Sequence, residues 1–168
     1  MNFQELIRAR HSVRDYQPTP VPEEALVRVL EAAQLAPSAA NYQPWHFFVV
    51  RDEALRQRLF NHERQTWISA APVVIVACSY PQKAWVRSMD GKSHADVDSA
   101  IAMDHLVLAA TEEGLGSCWI CAFNPQVVRE ALQLPAELEP VAITPLGYPA
   151  TTPGATPRKP LDEIITWR

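Results

Sequence analysis

The run Pro72-Val73-Val74-Ile75-Val76-Ala77-Cys78 decides the fold class, because it is apolar without interruption and only as long as a strand. An amphipathic surface strand would alternate polar and apolar residues. A continuous run instead marks a strand covered on both faces, and a leading proline suits its first position. Working outward, His46-Phe47-Phe48-Val49-Val50 reads the same way, as a second strand covered on both faces. Ser117 to Cys121 and Val141 to Leu146 supply two more candidate strands. Between them lie helical signals. Phe3, Leu6 and Ile7 share a helix face over residues 2–10. A second helix begins near Pro22, with Glu23 and Glu24 in its first turn and Leu26, Val29, Leu30 and Ala33 on its apolar face. It must stop before Pro37. Glu53 to Phe60 and Pro125 to Leu132 are shorter helices, the latter capped by Asn124. The longest runs from Asp96 to Glu113, with Ile101, His105, Leu108 and Ala109 marking one face and Gly114 as its C-cap. This order predicts an α+β fold, helices packed around a central mixed β-sheet.

The chain has 168 residues, of which 48% are apolar and 20% charged, with a formal net charge of -4. That size suits one domain, residues 1–168, with a sizeable core. Mild acidity argues against nucleic acid as a partner. The N-terminus lacks an apolar signal region and no run approaches the roughly 20 residues of a membrane span, so no membrane association is expected. Three cysteines do not make a disulfide framework. A cytoplasmic protein is expected.

Three stretches carry candidate chemistry. Arg10-His11-Ser12-Val13-Arg14, preceded by Arg8, offers guanidinium forks and a hydroxyl, which suit a phosphate; taken alone it reads more readily as a solvated basic face. Residues 36–45, APSAANYQPW, form a small, polar, proline-bounded loop made to approach something closely. The tail carries Pro153, Pro157 and Pro160 and then the apolar Leu161, Ile164, Ile165 and Trp167. Such a segment travels extended and then needs burial, which suggests docking on a neighbouring subunit. Other patterns weigh less. Cys118 and Cys121 have CxxC spacing, yet no second pair exists, and buried structural thiols are expected. His94, Asp96 and Asp98 read as a polar loop and helix cap rather than metal ligands, and His105 as an interior histidine. No metal site is expected, and there is no GxGxxG for a tightly held dinucleotide. Residues 79–95 show no periodicity and read as a mobile surface loop.

Four motifs in order resemble the nitroreductase family of flavoproteins: Arg10 to Arg14; Ala36 to Trp45; Gly114-Leu115-Gly116-Ser117-Cys118-Trp119; and Leu146-Gly147-Tyr148-Pro149 followed by Pro157-Arg158-Lys159-Pro160. The resemblance spans residues 3 to 167. It implies a nitroreductase-like fold whose C-terminal tail extends onto the partner of a homodimer. FMN would bind at the interface, reduced by NADH or NADPH in a ping-pong cycle that serves a small organic acceptor. Arg10, His11, Ser12 and Arg14 match the phosphate and ribityl contacts, completed by Arg158 or Lys159. Asn41 and Gln43 suit the imide edge or ribityl hydroxyls. Pro37, Ser38 and Ala39 resemble the small residues approaching from the partner, and Cys118 and Trp119 the strand beside the isoalloxazine. No separate catalytic acid or base is implied, since the flavin carries the hydride chemistry.

The expected activity is reduction of nitroaromatics, quinones or activated alkenes, although relatives on this scaffold also fragment flavin, dehalogenate, or oxidise peptide heterocycles. A non-catalytic flavin-binding or carrier protein is the contrasting reading. A metal-binding regulator built on Cys118, Cys121 and a histidine is a third. The segment before residue 96 is too brief for an elaborate lid, which leaves acceptor specificity open. Trp45 is expected in the core; Trp67 and Trp85 are candidates to stack a substrate.

Overall fold

In the computed structural model, which describes residues 1–60 and 66–168, the run that opened the sequence analysis becomes β2 (Val73–Ser79), with all seven residues buried. Alternate side chains enter different layers. Val73, Ile75 and Ala77 join one apolar cluster, and Val74, Val76 and Cys78 join the other. That two-sided burial is why the strand tolerates no polar interruption. β2 pairs antiparallel with β1 (Trp45–Val50) on one side and β4 (Glu139–Gly147) on the other. β3 (Gly116–Ser117) pairs with the far side of β4, giving the order β1-β2-β4-β3. These ladders are antiparallel. The mixed character expected of the sheet is confined to an isolated parallel bridge between Ser12 and Ser117.

The helices supply both covering layers. α2 (Glu23–Gln34) buries Ala25, Leu26, Val29 and Ala33, and with α5 (Ala95–Glu112) it covers the Val73, Ile75 and Ala77 face. α6 (Pro125–Leu132) covers the opposite face together with Leu59, the C-cap of α3 (Glu53–Arg58), and Ile68 of α4 (Thr66–Ser69). Cap chemistry sets their ends. Asn124 accepts from the Gln126 N–H at 3.0 Å and Asp52 from the Leu55 N–H at 2.8 Å. α5 closes at Gly114, whose φ of 72° only glycine adopts without penalty. α1 (Phe3–Ala9) is started by a reciprocal Asn2–Glu5 capping box and buries none of its own residues.

Some local expectations need correction. β1 is not covered on both faces. It is an edge strand in which His46 and Val49 are exposed and only Val50 is buried, because the layers over β2 do not reach across it. Trp45, expected in the core, is only half-buried at the start of that edge strand. On α5 the deepest stripe is Ala102, Met103, Leu106 and Ala110, while Ile101, His105, Leu108 and Ala109 are half-buried. The expected strand 117–121 stops after Ser117, since the Cys118 N–H donates to the Thr144 hydroxyl at 3.1 Å instead of to a ladder carbonyl; pairing resumes at Ile120 with Ile143. Residues 79–95 form an excursion with local structure of its own. An antiparallel bridge joins Val86 to Ser93, an Arg87–Asp90 ion pair closes the turn, and Trp85 packs edge-on against His94 at 4.8 Å between ring centres.

Candidate active site

α1 ends at Arg10, whose N–H still donates to the Leu6 carbonyl at 3.0 Å, and the chain then turns extended. The next residues are stitched to the end of the sheet. The Val13 N–H donates to the Ser117 carbonyl at 2.9 Å, the Gln17 N–H to Tyr148 at 2.9 Å, and the Ala150 N–H to Asp15 at 2.9 Å. The Tyr16 hydroxyl donates back to the Val13 carbonyl at 2.7 Å, and burial holds that phenol protonated well above its ordinary range. Extended backbone alternates its side chains, so Val13 goes into the core while Arg14 stays outside.

Close approach here depends on two glycines. A Cβ on Gly116 would lie 2.7–2.9 Å from three Val13 side-chain atoms, and one on Gly147 would lie 2.6 Å from Pro72 Cδ. The result is a rigid shelf carrying cations with no acidic partner. Among the described residues neither Arg10 nor Arg14 has a carboxylate within ion-pair distance. Arg14 instead lies over the Trp67 ring, 5.9 Å from its centroid. The Cys118 thiol belongs to the same cluster. Burial pushes it above the ordinary thiol range, while Arg14, the Ser12 hydroxyl and Arg10 draw it back.

The loop after α2 forms a second cluster. Ala40, Asn41 and Gln43 hold φ values of 51°, 58° and 49°, a left-handed conformation that costs an alanine about 1–2 kcal/mol. Its hydrogen bonds close the turn on itself: Asn41 N–H to the Ser38 carbonyl, Tyr42 N–H to the Ala39 carbonyl, and Gln43 N–H to the Ser38 hydroxyl at 2.9 Å. The turn leaves the amides of Asn41 and Gln43 on the surface, with Gln43 Nε2 donating to Asn41 Oδ1 at 3.1 Å.

The residues singled out in the sequence therefore fall into separate groups. Arg10, Ser12, Arg14 and Cys118 come together. Pro37, Ser38, Ala39, Asn41 and Gln43 come together elsewhere, and among the described residues no hydrogen bond, ion pair or ring contact joins the two groups. His11 lines a separate hollow of about 170 Å³ with Gly114, Gly116 and Pro153. Trp119 is half-buried against the α2–α5 layer, and its indole N–H donates to Cys121 Sγ at 3.3 Å. Cys121 is exposed, which corrects the expectation of two buried thiols. Arg158 and Lys159 are fully on the surface, and Arg158 reaches no further than the Pro157 carbonyl. No group of three His, Cys, Asp or Glu among the described residues is arranged to hold a metal. Tyr16 carried no signal in the sequence, and Asp98, read there as part of a polar loop and helix cap, is instead buried. The signal for Asp98, a carboxylate on the inner side of a core helix, exists only once the helix is packed.

A family model described as the nitroreductase family matches residues 7–70 and 60–148. The chain belongs to the nitroreductase family. Within that family it is 34% identical to the "NADH dehydrogenase" of Thermus thermophilus over 95% of this chain and 92% of the relative. It is 30% identical to the "FMN reductase [NAD(P)H]" of Bacillus subtilis over 91% of this chain and 68% of the relative. The crystal structure of a nitroreductase family protein from Clostridium difficile superposes with a TM-score of 0.90 at 39% identity, covering 99% and 98% of the two chains. The first three motifs, together with Leu146–Tyr148, lie inside the matched residues; Pro157 to Pro160 lie beyond them.

Proposed function

We propose that two copies of this chain hold FMN between them, reduce it with NADH or NADPH, and deliver the electrons to a small organic acceptor. Relatives that match more than nine-tenths of this chain are named NADH dehydrogenase, FMN reductase [NAD(P)H] and FMN-dependent nitroreductase, which supports an FMN-dependent NAD(P)H oxidoreductase. The observation that carries the reading to this chain's own residues is the pair of unneutralised arginines, Arg10 and Arg14, on a stitched and glycine-dependent shelf. Guanidinium groups without a carboxylate fit a phosphate dianion by charge and by forked geometry. Ser12 adds a short donor, and the surface amides of Asn41 and Gln43 offer the alternating donors and acceptors of an imide edge.

FMN, when bound, would supply the hydride chemistry between NAD(P)H and the acceptor. The residues bind and orient it. Arg10 and Arg14 take the phosphate, Ser12 the neighbouring ribityl region, and Cys118 and Trp119 flank the ring. Pro37, Ser38 and Ala39 keep one approach free of bulk. Residues 1–168 act as one FMN-binding domain, with protons drawn from solvent.

The second copy is part of the reading because each half of the site is incomplete within one chain. An apolar groove of about 460 Å³ runs beside α1 and α5, lined by Phe3, Leu6, Leu35, His105 and Leu108, with Phe3 64% and Leu35 79% exposed. The tail leaves Leu161, Ile164 and Trp167 equally uncovered, Trp167 at 87%. Both surfaces suit burial against a partner chain, which would bring Arg158 or Lys159 to the phosphate. Three free thiols suit a reducing cytoplasm, and no described helix is long and apolar enough to cross a membrane.

The test is the visible spectrum of the purified protein before and after anaerobic NADH. Flavin bands that bleach, followed by reoxidation with menadione, support the reductase. Bound flavin that neither NADH nor NADPH bleaches favours the carrier reading. A protein that takes up no FMN overturns the assignment.

A further inference from the structure

The loop that presents Asn41 and Gln43 is held to the body of the protein by an unexpected group. Asp98, on the first turn of α5, is 98% buried, and its Oδ1 accepts the Ala39 N–H at 3.0 Å. Every other hydrogen bond made by residues 38–43 stays within that turn. Asp98 is thus the turn's one polar tie to the rest of the described chain. Its other oxygen, Oδ2, is shielded from solvent and has no donor.

That arrangement is poor economy for stability. A buried carboxylate oxygen without a donor is destabilising, and a neutral residue would pack the same space at lower cost. The turn it secures is itself strained, with Ala40, Asn41 and Gln43 all left-handed. Strain of this kind persists only where surrounding groups over-determine the backbone. Asp98 supplies that constraint at the turn's first peptide, next to Ala40.

We propose that Asp98 is a positioning residue: its carboxylate pins the Ala39 amide and so locks the left-handed turn in the shape that receives the flavin. This rests on the FMN reading above, with the turn as the partner-side half of the site. The residue touches neither cofactor nor substrate, so its effect appears as flavin retention rather than as loss of a chemical group. Asp98→Asn keeps an acceptor for the Ala39 N–H and removes the buried charge. Asp98→Ala removes both, and Asp98→Ser is too short to reach.

Amide hydrogen exchange on the apoprotein and FMN titration by flavin fluorescence test the proposal together. In Asp98→Ala and Asp98→Ser the Ala39 amide should lose its protection and the FMN dissociation constant should rise about tenfold or more, the effect of losing one charge-assisted hydrogen bond. Asp98→Asn should restore retention to within about threefold of wild type, with an unfolding midpoint equal to or above it. Unchanged FMN affinity in the Ala variant despite a deprotected Ala39 would overturn the proposal. So would failure of both shortened variants to fold while Asp98→Asn folds, since Asp98 would then be a packing residue. Failure of the wild type to bind FMN would instead refute the cofactor reading, and the exchange of Ala39 would still report whether the tie exists.

Discussion

Adding one methyl group at Gly116 tests the geometry of the arginine shelf without touching an arginine. The new Cβ would sit 2.7 Å from Val13 Cγ2, 2.8 Å from Cβ and 2.9 Å from Cγ1, against the roughly 3.5–4.0 Å of an ordinary carbon contact. Val13 cannot retreat easily. It is 4% exposed, its N–H is bonded to Ser117 and its carbonyl receives the Tyr16 hydroxyl. Overpacking of this kind costs about 1–3 kcal/mol, which for a chain of this size lowers Tm by about 2–12 °C. Because Val13 lies between Ser12 and Arg14, its displacement should also weaken FMN binding by about tenfold. Val13→Ala removes two of the three clashing atoms. Alone it should cost about 1.6 kcal/mol, for two buried methyl groups. In combination with Gly116→Ala the two changes should be less than additive by about 1 kcal/mol or more. Urea unfolding of the apoprotein and its three variants measures this cycle. Additivity within about 0.5 kcal/mol, or a Gly116→Ala protein as stable as wild type, would refute the close packing of Gly116 on Val13.

Arg10→Ala and Arg14→Ala should each weaken FMN retention, with charge-assisted contacts worth up to about 1.5–3 kcal/mol apiece. Isothermal titration would read this, and equal affinity in both variants would show a solvated basic face. Gln133→Gly should raise stability by about 1 kcal/mol in thermal unfolding, because Gln133 ends α6 at φ 51° and ψ 48°, where a Cβ is penalised. Stability should fall as pH rises above about 8. Burial pushes the Cys78 thiol to about 12 and raises Cys118 and Tyr16 as well, so the folded chain keeps protons that the unfolded chain has lost. Unfolding midpoints should therefore decline from about pH 8 to about 10.5, less steeply in Cys78→Ala. A flat profile would contradict the sign. Truncation after Ala155 should release FMN and loosen the dimer, as read by size-exclusion chromatography with absorbance in the visible.

Much of this fold is legible in the sequence. Val73 to Cys78 announced a two-sided strand, Asn124 and Pro125 the start of α6, and Gly114 the end of α5, because those signals are local. Strand alternation, helix capping and left-handed glycine all act within a few residues along the chain. The family was legible for the same reason, because the first three motifs are short segments that lie inside the residues matched by the family model.

What the sequence left open depends on neighbours far along the chain. His46 to Val50 looks as apolar as Val73 to Cys78, yet lies at the sheet edge, since burial depends on which layers reach over a strand. Ile101, His105, Leu108 and Ala109 looked like the inner face of α5, but a helix apolar on most sides takes its orientation from what packs around it. The contact of Gly116 with Val13, the tie from Asp98 to Ala39 and the separation of the arginine shelf from the Pro37–Gln43 turn all join residues tens of positions apart. Local chemistry determined which segments form. Long-range packing alone decided which of them meet within one chain.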